Sequence, residues 1–178
     1  MEIRPVILDD AEQIAAIYAP IVEHTSISFE ERAPSVSEMR ERIRSNTITY
    51  PWLVATSGDD VLGYAYASAH MDRAGYRWSV NSSIYVREDA RGRGTGKTLY
   101  AELFRLLEQR RFHAVFAGIA LPNDASIALH RSLGFALVGI YREVGFKFGA
   151  WFDTSWWQRR LSAEPRDDRP SRPSEGTR

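Results

Sequence analysis

The stretch VREDARGRGTGK, residues 86–97, joins a predicted strand to a predicted helix through a glycine-rich loop. The segment before it, Ser82–Val86, is rich in the β-branched and aromatic residues that favour strands. After it, leucines recur at positions 99, 103, 106 and 107, the spacing of one helix face. The sequence therefore predicts a strand, a loop and a helix in that order, with the loop at the helix N-terminus.

The composition of this loop indicates an anion-binding site. Its glycines alternate at 92, 94 and 96, which permits unusual φ angles and lets backbone N–H groups approach a ligand closely. The helix start adds unpaired N–H groups and the positive end of the helix dipole. Arg91, Arg93 and Lys97 add positive charge. We predict a ligand that carries a phosphate or pyrophosphate; the alternative is a flexible, solvated loop.

Two well-known phosphate-binding templates do not fit these residues. A Walker loop requires glycine five positions before Gly96-Lys97-Thr98, where this chain has Arg91. A dinucleotide fingerprint reads G-x-G-x-x-G near a first strand, whereas the glycines here read G-x-G-x-G in mid-chain. No clear Mg²⁺-binding carboxylate accompanies Lys97 and Thr98, so nucleotide hydrolysis is only a weak alternative.

A second candidate motif follows a predicted buried strand at Ala114–Leu121, which ends at Pro122. The short predicted helix after it carries Asn123, Ser126 and His130, at a spacing that allows them to share one helix face. Taken alone, such a histidine is more often a structural helix residue.

Together, the R-G-x-G-x-G loop and the Asn–Ser–His spacing before Leu133-Gly134-Phe135 resemble the GNAT superfamily of N-acetyltransferases. The resemblance implies a mixed α/β fold whose central, mostly antiparallel sheet is splayed at the cofactor site and flanked by helices. It also implies acetyl-CoA as co-substrate. Asn123 would bind the pantetheine arm, and His130, at a position that is Tyr in the superfamily pattern, would protonate the departing thiolate. The backbone at Val86 would polarise the thioester carbonyl. The implied cofactor-binding residues are Ile84, Tyr85, Val86, Arg91, Gly92, Arg93, Gly94, Thr95, Gly96, Lys97, Asn123 and Ser126.

A closer resemblance, to the phosphinothricin and methionine sulfoximine N-acetyltransferase family, lies in the segments LPNDASIALHRSLGF, GFKFGAWFD and WWQRR. It covers about residues 2–161. It implies direct transfer of the acetyl group from acetyl-CoA to the α-amine of a small amino acid analogue, by a homodimeric enzyme. The chain has no cysteine and no G-x-S-x-G elbow, which agrees with transfer without a covalent enzyme intermediate.

One position departs from that family in a way that affects the chemistry. The family's strand motif reads W-x-V-E-x-S/T-x-Y-V, and its Glu is the candidate base for the amine; this chain has Asn81 there. An amide does not accept a proton at neutral pH, so we expect Asn81 to orient substrate or a water while bulk-connected water removes the proton. The alternative is a solvent-facing strand residue. Phe148 and Phe152 replace frequent His residues, which predicts a more apolar site rim.

Candidate acceptor-binding residues lie near that strand. Arg73, Tyr76 and Arg77 precede it, and a guanidinium matches the carboxylate or phosphinate-like end of such a substrate. The alternative for the two arginines is a solvated loop charge. Phe29 and Tyr85 are candidates for the pocket lining, although a plain core role is the more frequent one for aromatic residues.

Composition narrows the classes of function. The 178-residue chain balances 23 Lys and Arg against 23 Asp and Glu, so we expect no nucleic-acid-binding surface. With no cysteine, and four histidines that lack metal-ligand spacing, we expect no metal site. No apolar signal region or run of membrane-spanning length is present, so we expect no membrane partner and a cytoplasmic location.

We predict one domain over residues 1–161 and a disordered tail over 162–178, which is rich in Pro, Arg, Asp and Ser. Capping boxes are predicted at Asp9 with Glu12 and at Ser35 with Glu38. Further strands are predicted near 52–57, 61–69, 136–141 and 155–161.

Three classes of function stay open from the sequence. The first is acetylation of a phosphinothricin-type or methionine sulfoximine-type amino acid. The second is acetylation of another amine, such as a protein N-terminus, a lysine or a polyamine. The third is a weakly catalytic acetyl-CoA-binding module, which Asn81 keeps open. Acceptor competition separates the first two classes, and the activity of Asn81→Glu tests the third.

Overall fold

One mixed sheet organises residues 1–161, the part of the chain that the computed structural model describes. The predicted tail at 162–178 lies outside the described residues. The strands are β1 (Glu2–Pro5), β2 (Trp52–Ser57), β3 (Asp60–Ala69), β4 (Ser79–Val86), β5 (Ala114–Ala120), β6 (Ala136–Lys147) and β7 (Ala150–Arg160). The helices are α1 (Ala11–His24), α2 (Val36–Thr47), α3 (Thr95–Gln109) and α4 (Asp124–Ser132).

The sheet has the order β1-β2-β3-β4-β5-β7-β6, and neighbouring strands are antiparallel except β4 and β5. This parallel pair is bonded only where Ser79–Asn81 faces Ala114–Phe116. Both strands continue past that point, so they diverge beyond Asn81. The splayed, mostly antiparallel sheet implied by the resemblance is therefore confirmed.

Each sheet face is covered by helices whose apolar stripes match the sequence spacing. On one face, the α3 residues Leu99, Leu103 and Leu107 are fully buried in the larger core cluster. On the other face, α1 and α2 pack against β2 and β3, with Ile14 and Ile43 among the buried residues. The largest apolar side chains are thus removed from water on both faces, which is the main stabilising contribution to such a layered fold.

The two predicted capping boxes have different outcomes at the starts of α1 and α2. The predicted capping box at Ser35 and Glu38 is confirmed: Ser35 Oγ accepts the N–H of Glu38, whose carboxylate accepts the N–H of Ser35. The one predicted at Asp9 and Glu12 is wrong, because α1 begins at Ala11 after a 3₁₀ turn. Asp10, not Asp9, is the acidic residue that makes side-chain contacts at this helix start. Its carboxylate accepts two hydrogen bonds from the Arg4 guanidinium, each 2.8 Å long.

Lys147, at the end of β6, is hydrogen-bonded to the last turn of α1 and to the segment that follows it. Its ammonium is buried and donates to the backbone oxygens of Val22, Thr25 and Ser28, at 2.5, 3.0 and 2.6 Å. One cation therefore donates hydrogen bonds to three carbonyls at and beyond the helix C-terminus, where no intrahelical N–H group is available to them.

We expect Lys147→Met to lower the free energy of unfolding by about 3 kcal/mol, because the variant leaves buried carbonyls without a donor. Urea denaturation measures the change. The matched control is Lys97→Met at the only other lysine of the chain, which is exposed; its unfolding midpoint should stay at the wild-type value in the absence of ligand. Equal midpoints for Lys147→Met and wild type would contradict this assignment.

Candidate active site

The divergence of β4 and β5 opens a cleft of about 400 Å³ that is continuous with solvent. Residues of both strands line it, together with Tyr100 from α3 and three residues at and within α4. The lining residues are Ile27, Ser82, Ser83, Ile84, Tyr85, Tyr100, Ala117, Gly118, Ile119, Ala120, Asn123, Ser126 and His130. The splay therefore brings the second sequence motif to a gap beside the strand that leads into the glycine-rich loop.

The glycine-rich loop has the backbone geometry expected of an anion cradle. Gly92 and Gly94 have φ angles of +74° and +83°, which side-chain-bearing residues rarely adopt. Gly94 is the N-cap of α3 and supplies no side chain to the first-turn N–H groups. Arg93 and Lys97 are exposed beside this helix start. The helix N-terminus thus presents N–H groups and two cations on the same side of the fold.

Two residues of the loop also fix its position against neighbouring elements. A Cβ at Gly96 would lie 3.2 Å from the Leu129 side chain and 3.4 Å from that of Ile84, so this glycine permits α3 to pack closely on α4 and β4. Thr95 is buried, and its hydroxyl donates to the carbonyl of Ala90.

Asn123 begins α4 and lies on the cleft wall. Its Oδ1 accepts the N–H of Ser126 at 3.1 Å, which caps the helix and fixes the direction of the amide. The Asn side chain is thereby held at the cleft before any ligand binds.

His130 is held in one tautomer by its partners. Its Nδ1 lies 2.8 Å from the carbonyl oxygen of Ser126, which can only accept, so Nδ1 carries the hydrogen. Its Nε2 lies 3.0 Å from the hydroxyl of Tyr100. Burial raises the pKa of Tyr100, so that hydroxyl stays protonated and donates to Nε2. Burial also lowers the pKa of His130, which is 3% exposed.

At the end of β4, the backbone N–H of Val86 is not directed toward β3. Arg87 donates its N–H to the carbonyl of Leu62, toward β3. Successive residues of a strand direct their N–H groups to opposite sides, so that of Val86 points away from β3, to the side where β5 has diverged. The Val86 carbonyl accepts from Arg91 Nε at 3.2 Å.

Asn81 lies where the splay begins, paired with Phe116 in the last bonded position of β4 and β5. Its Nδ2 donates to the carbonyl of Ala69 at 3.1 Å, and its Oδ1 lies 2.8 Å from Nδ1 of His70. The side chain is half-buried and hydrogen-bonded, not a free solvent-facing amide.

The structure brings one of the five candidate acceptor residues to the cleft wall and places the others elsewhere. Tyr85 lines the cleft and packs edge-on against Tyr18, with ring centroids 4.9 Å apart. Phe29 packs against the β6–β7 hairpin: a Cβ at Gly145 would lie 2.3 Å from its ring. The connection between β3 and β4 carries the other three, Arg73, Tyr76 and Arg77, all exposed and none part of the cleft wall.

Two residues of this region were missed by sequence reasoning. Tyr100 occupies a buried position of α3, where it reads as one more residue of the apolar stripe. His70 stands just past β3 and meets Asn81 only through the antiparallel register that pairs Ser68 with Asn81. Its single available signal was that it lies between a predicted strand and the Arg73–Arg77 segment.

Across 1–161, no group of three or more His, Asp or Glu side chains is arranged to hold a metal ion. Among the described helices, none combines the length and the apolar composition needed to cross a membrane.

Comparisons with known proteins agree with this geometry. A model of the GNAT acetyltransferase domain matches residues 3–156. A phosphinothricin N-acetyltransferase of Streptomyces viridochromogenes is 37% identical over 172 residues, which cover 96% of this chain and 94% of that protein. An L-methionine sulfoximine/L-methionine sulfone acetyltransferase of Pseudomonas paraeruginosa is 36% identical, with 89% of this chain and 94% of that protein covered.

A solved structure gives the same likeness in three dimensions. The phosphinothricin acetyltransferase of Sinorhizobium meliloti, in complex with AcCoA, has a TM-score of 0.89 and 40% sequence identity, covering 98% of this chain and 94% of that chain. The family match spans nearly all of the described residues, including the loop, the splayed strands and the wall formed by α4. With fold, site and sequence in agreement, the chain belongs to the GNAT acetyltransferases, among the relatives of phosphinothricin and methionine sulfoximine N-acetyltransferases.

Proposed function

We propose that this protein transfers the acetyl group of acetyl-CoA directly to the α-amine of a small amino acid analogue of the phosphinothricin or methionine sulfoximine type. The observation that carries the proposal is the splayed cleft, with an anion cradle beside it and Asn123, Ser126 and His130 on its wall. The proposed unit is the single domain at residues 1–161. Cytoplasmic location remains a prediction.

The cofactor is proposed to lie along β4 in place of the missing β5 partner. The pyrophosphate sits on the loop from Arg91 to Lys97, where N–H groups and cations converge. The pantetheine amides bond to Asn123 and to the backbone groups of Ile84 and Val86 that point away from β3, as an added strand would, with Tyr85 lining the cleft between them. The N–H of Val86 is directed into this gap, which supports its role in polarising the thioester carbonyl.

The reaction follows from bringing an amine beside that carbonyl. The amine nitrogen forms a bond to the carbonyl carbon, and the C–S bond breaks with its electron pair staying on the CoA sulfur. His130 is neutral at rest, and it is proposed to take up a proton at Nε2 in the ternary complex and pass it to the thiolate, while Ser126 holds the ring through Nδ1 and Tyr100 lies beside Nε2. Most of the acceleration comes from the arrangement of the two substrates in one ternary complex.

The acceptor is proposed to enter from the face that carries Phe29 and Tyr85. Arg73, Tyr76 and Arg77 lie on the exposed β3–β4 connection. Its two cations are proposed to bind the anionic end of the substrate. Tyr76 supports this placement, because its ring lies 6.2 Å from that of His70 at the start of the splay.

CoA release from acetyl-CoA tests the function with an acceptor panel. The panel holds phosphinothricin, methionine sulfoximine, methionine sulfone, common amino acids, a polyamine, a lysine peptide and a peptide with a free N-terminus. We expect selective turnover of the phosphinic and sulfoximine amino acids. Turnover confined to the polyamine or the peptides would assign another acceptor, and acetyl-CoA binding without turnover would favour a weakly catalytic binding module.

A homodimer is proposed from the apolar surface of the β6–β7 hairpin. Its exposed residues include Leu137, Val138, Tyr141, Val144, Phe146, Phe148 and Trp151. Trp157 is buried in the core, whereas Trp151 is 60% exposed, so the hairpin carries the tryptophan that a partner subunit would cover. A cluster of this kind is typical of an interface between copies.

We expect the wild-type chain to sediment as a dimer at micromolar concentration and Phe146→Glu/Trp151→Glu to sediment as a monomer, because two buried charges would oppose association. The control is Ile48→Glu, at a side chain that is 79% exposed outside the hairpin, which should remain dimeric. A monomeric wild-type protein would refute the proposal.

A further inference from the structure

The missing carboxylate at position 81 leaves the amine without an evident base, and the contacts of Asn81 identify a replacement. We infer that His70 is the general base of the acetyl transfer and that Asn81 is the positioning residue that orients its ring. This inference rests on the proposed function, because it concerns the same acceptor amine.

The hydrogen bonds around Asn81 decide which ring nitrogen of His70 is free to act. Asn81 Nδ2 faces the carbonyl oxygen of Ala69, which only accepts, so the amide oxygen faces His70. Oδ1 accepts, and Nδ1 of His70 must therefore carry the hydrogen of this 2.8 Å bond. In a neutral imidazole this leaves the lone pair on Nε2. An asparagine thus selects the tautomer that presents a base.

The ring is also held by aromatic contacts at the start of the splay. It stacks on Phe116 with centroids 4.0 Å apart and planes 13° from parallel, and it meets Tyr76 and Trp156 edge-on at 6.2 Å each. Phe116 is the last β5 residue paired with β4, so the ring of His70 lies beside the last bonded position before these two strands separate. His70 is only half-buried, which leaves it accessible to a substrate or a water.

The neighbours of His70 suit proton transfer to and from solvent. Asn81, Phe116 and Trp156 are uncharged, and Tyr76 is the one titratable group among these four neighbours. The indole Nε1 of Trp156 is buried without a hydrogen-bond partner among those residues, and a polar atom of the acceptor or a bound water would satisfy it.

The proton balance of the reaction needs one such base. A substrate ammonium loses two protons when it becomes an amide. The first proton passes to His70 Nε2, directly or through one water, and from there to solvent. Its loss frees the lone pair on the amine nitrogen that forms the C–N bond. The second leaves after attack, and one proton is taken up by the CoA sulfur when the C–S bond breaks.

The first test is His70→Gln, which keeps an amide able to bond Asn81 but provides no base. We expect kcat with phosphinothricin or methionine sulfoximine to fall on the order of 10²-fold, while the Kd of acetyl-CoA stays within twofold of wild type. The matched control is His113→Gln, at an exposed histidine outside the cleft, which should keep wild-type kcat. A kcat for His70→Gln within twofold of wild type would overturn the inference.

Rescue separates a base from a structural residue. Imidazole should restore activity to His70→Gly in proportion to its concentration, and Asn81→Glu should restore part of the kcat lost in His70→Gln by returning a carboxylate to β4. Asn81→Ala should lower kcat without raising the KM of acetyl-CoA, and Asn81→Asp, which keeps an acceptor for Nδ1–H, should retain more activity. Loss of kcat without either rescue would make His70 structural.

The two proposals fail differently. If wild-type protein acetylates nothing in the panel, the proposed function fails whatever the variants do. If wild type is active and the His70 variants are equally active, only the assignment of the base fails.

Discussion

Arg93→Ala/Lys97→Ala should bind acetyl-CoA about 10²-fold more weakly than wild type. Each cation flanks the start of α3, and a charge-assisted hydrogen bond to a phosphate contributes about 1.5–3 kcal/mol. Losing both removes about 3 kcal/mol of binding free energy, which corresponds to that change in Kd. Isothermal titration calorimetry measures it directly. Both side chains are exposed, so the fold should be unaffected.

The ligand offers a control that isolates the pyrophosphate. S-acetylpantetheine lacks the diphosphate, and its affinity should be the same for wild type and for the double variant. Arg105→Ala provides the matched protein control, because Arg105 is an exposed cation further along the same helix. Wild-type affinity of the double variant for acetyl-CoA would place the phosphates elsewhere on the molecule. A weaker effect at high salt is expected, since exposed charges are screened.

The features that sequence predicted well are those encoded within one short segment. The strand–loop–helix order is an example, because the strand residues, the glycines and the following helix start are contiguous. The start of the helix after Pro122 is another, since Asn123 caps α4 through a residue three positions away. Ser35 and Glu38 form their capping box for the same reason.

The features that escaped prediction depend on partners distant in sequence. The capping box at Asp9 failed because Arg4, on the preceding strand, binds Asp10 and shifts the helix start. Gly96 was assigned to ligand approach, yet its missing side chain also makes room for Leu129 of α4. No spacing rule in a single chain reveals a contact that only the packed helices create.

The treatment of Asn81 shows the same limit in the candidate site itself. Its residue type excludes a base at that position, which the sequence established. Its partner, His70, is brought to it by the register of β3 against β4, and a shift of one residue would send that side chain to the other face. The sequence could therefore identify the missing group but not its replacement.

His130→Gln should lower kcat on the order of 10²-fold while leaving the KM of acetyl-CoA within about threefold of wild type. Glutamine can bond to Tyr100 and Ser126 as the imidazole does, but it cannot deliver a proton to a thiolate. The loss should therefore appear in the step that breaks the C–S bond. Steady-state kinetics of thiol release measures it, with His113→Gln as the exposed histidine control. An unchanged kcat would show that solvent, not His130, protonates the sulfur.

The same variant should change how stability depends on pH. Burial lowers the pKa of His130 in the folded protein, so the unfolded chain binds a proton there more readily. Where the unfolded state binds more protons, stability rises with pH. The wild-type protein should thus lose stability as the pH falls below about 6.5, the ordinary pKa of histidine, until the folded-state pKa is passed.

Urea midpoints between pH 7.5 and 5 should fall less for His130→Gln than for wild type or His113→Gln, because glutamine does not titrate. Parallel pH profiles for all three would mean that His130 is as easily protonated in the folded chain as in the unfolded one, which would contradict the prediction.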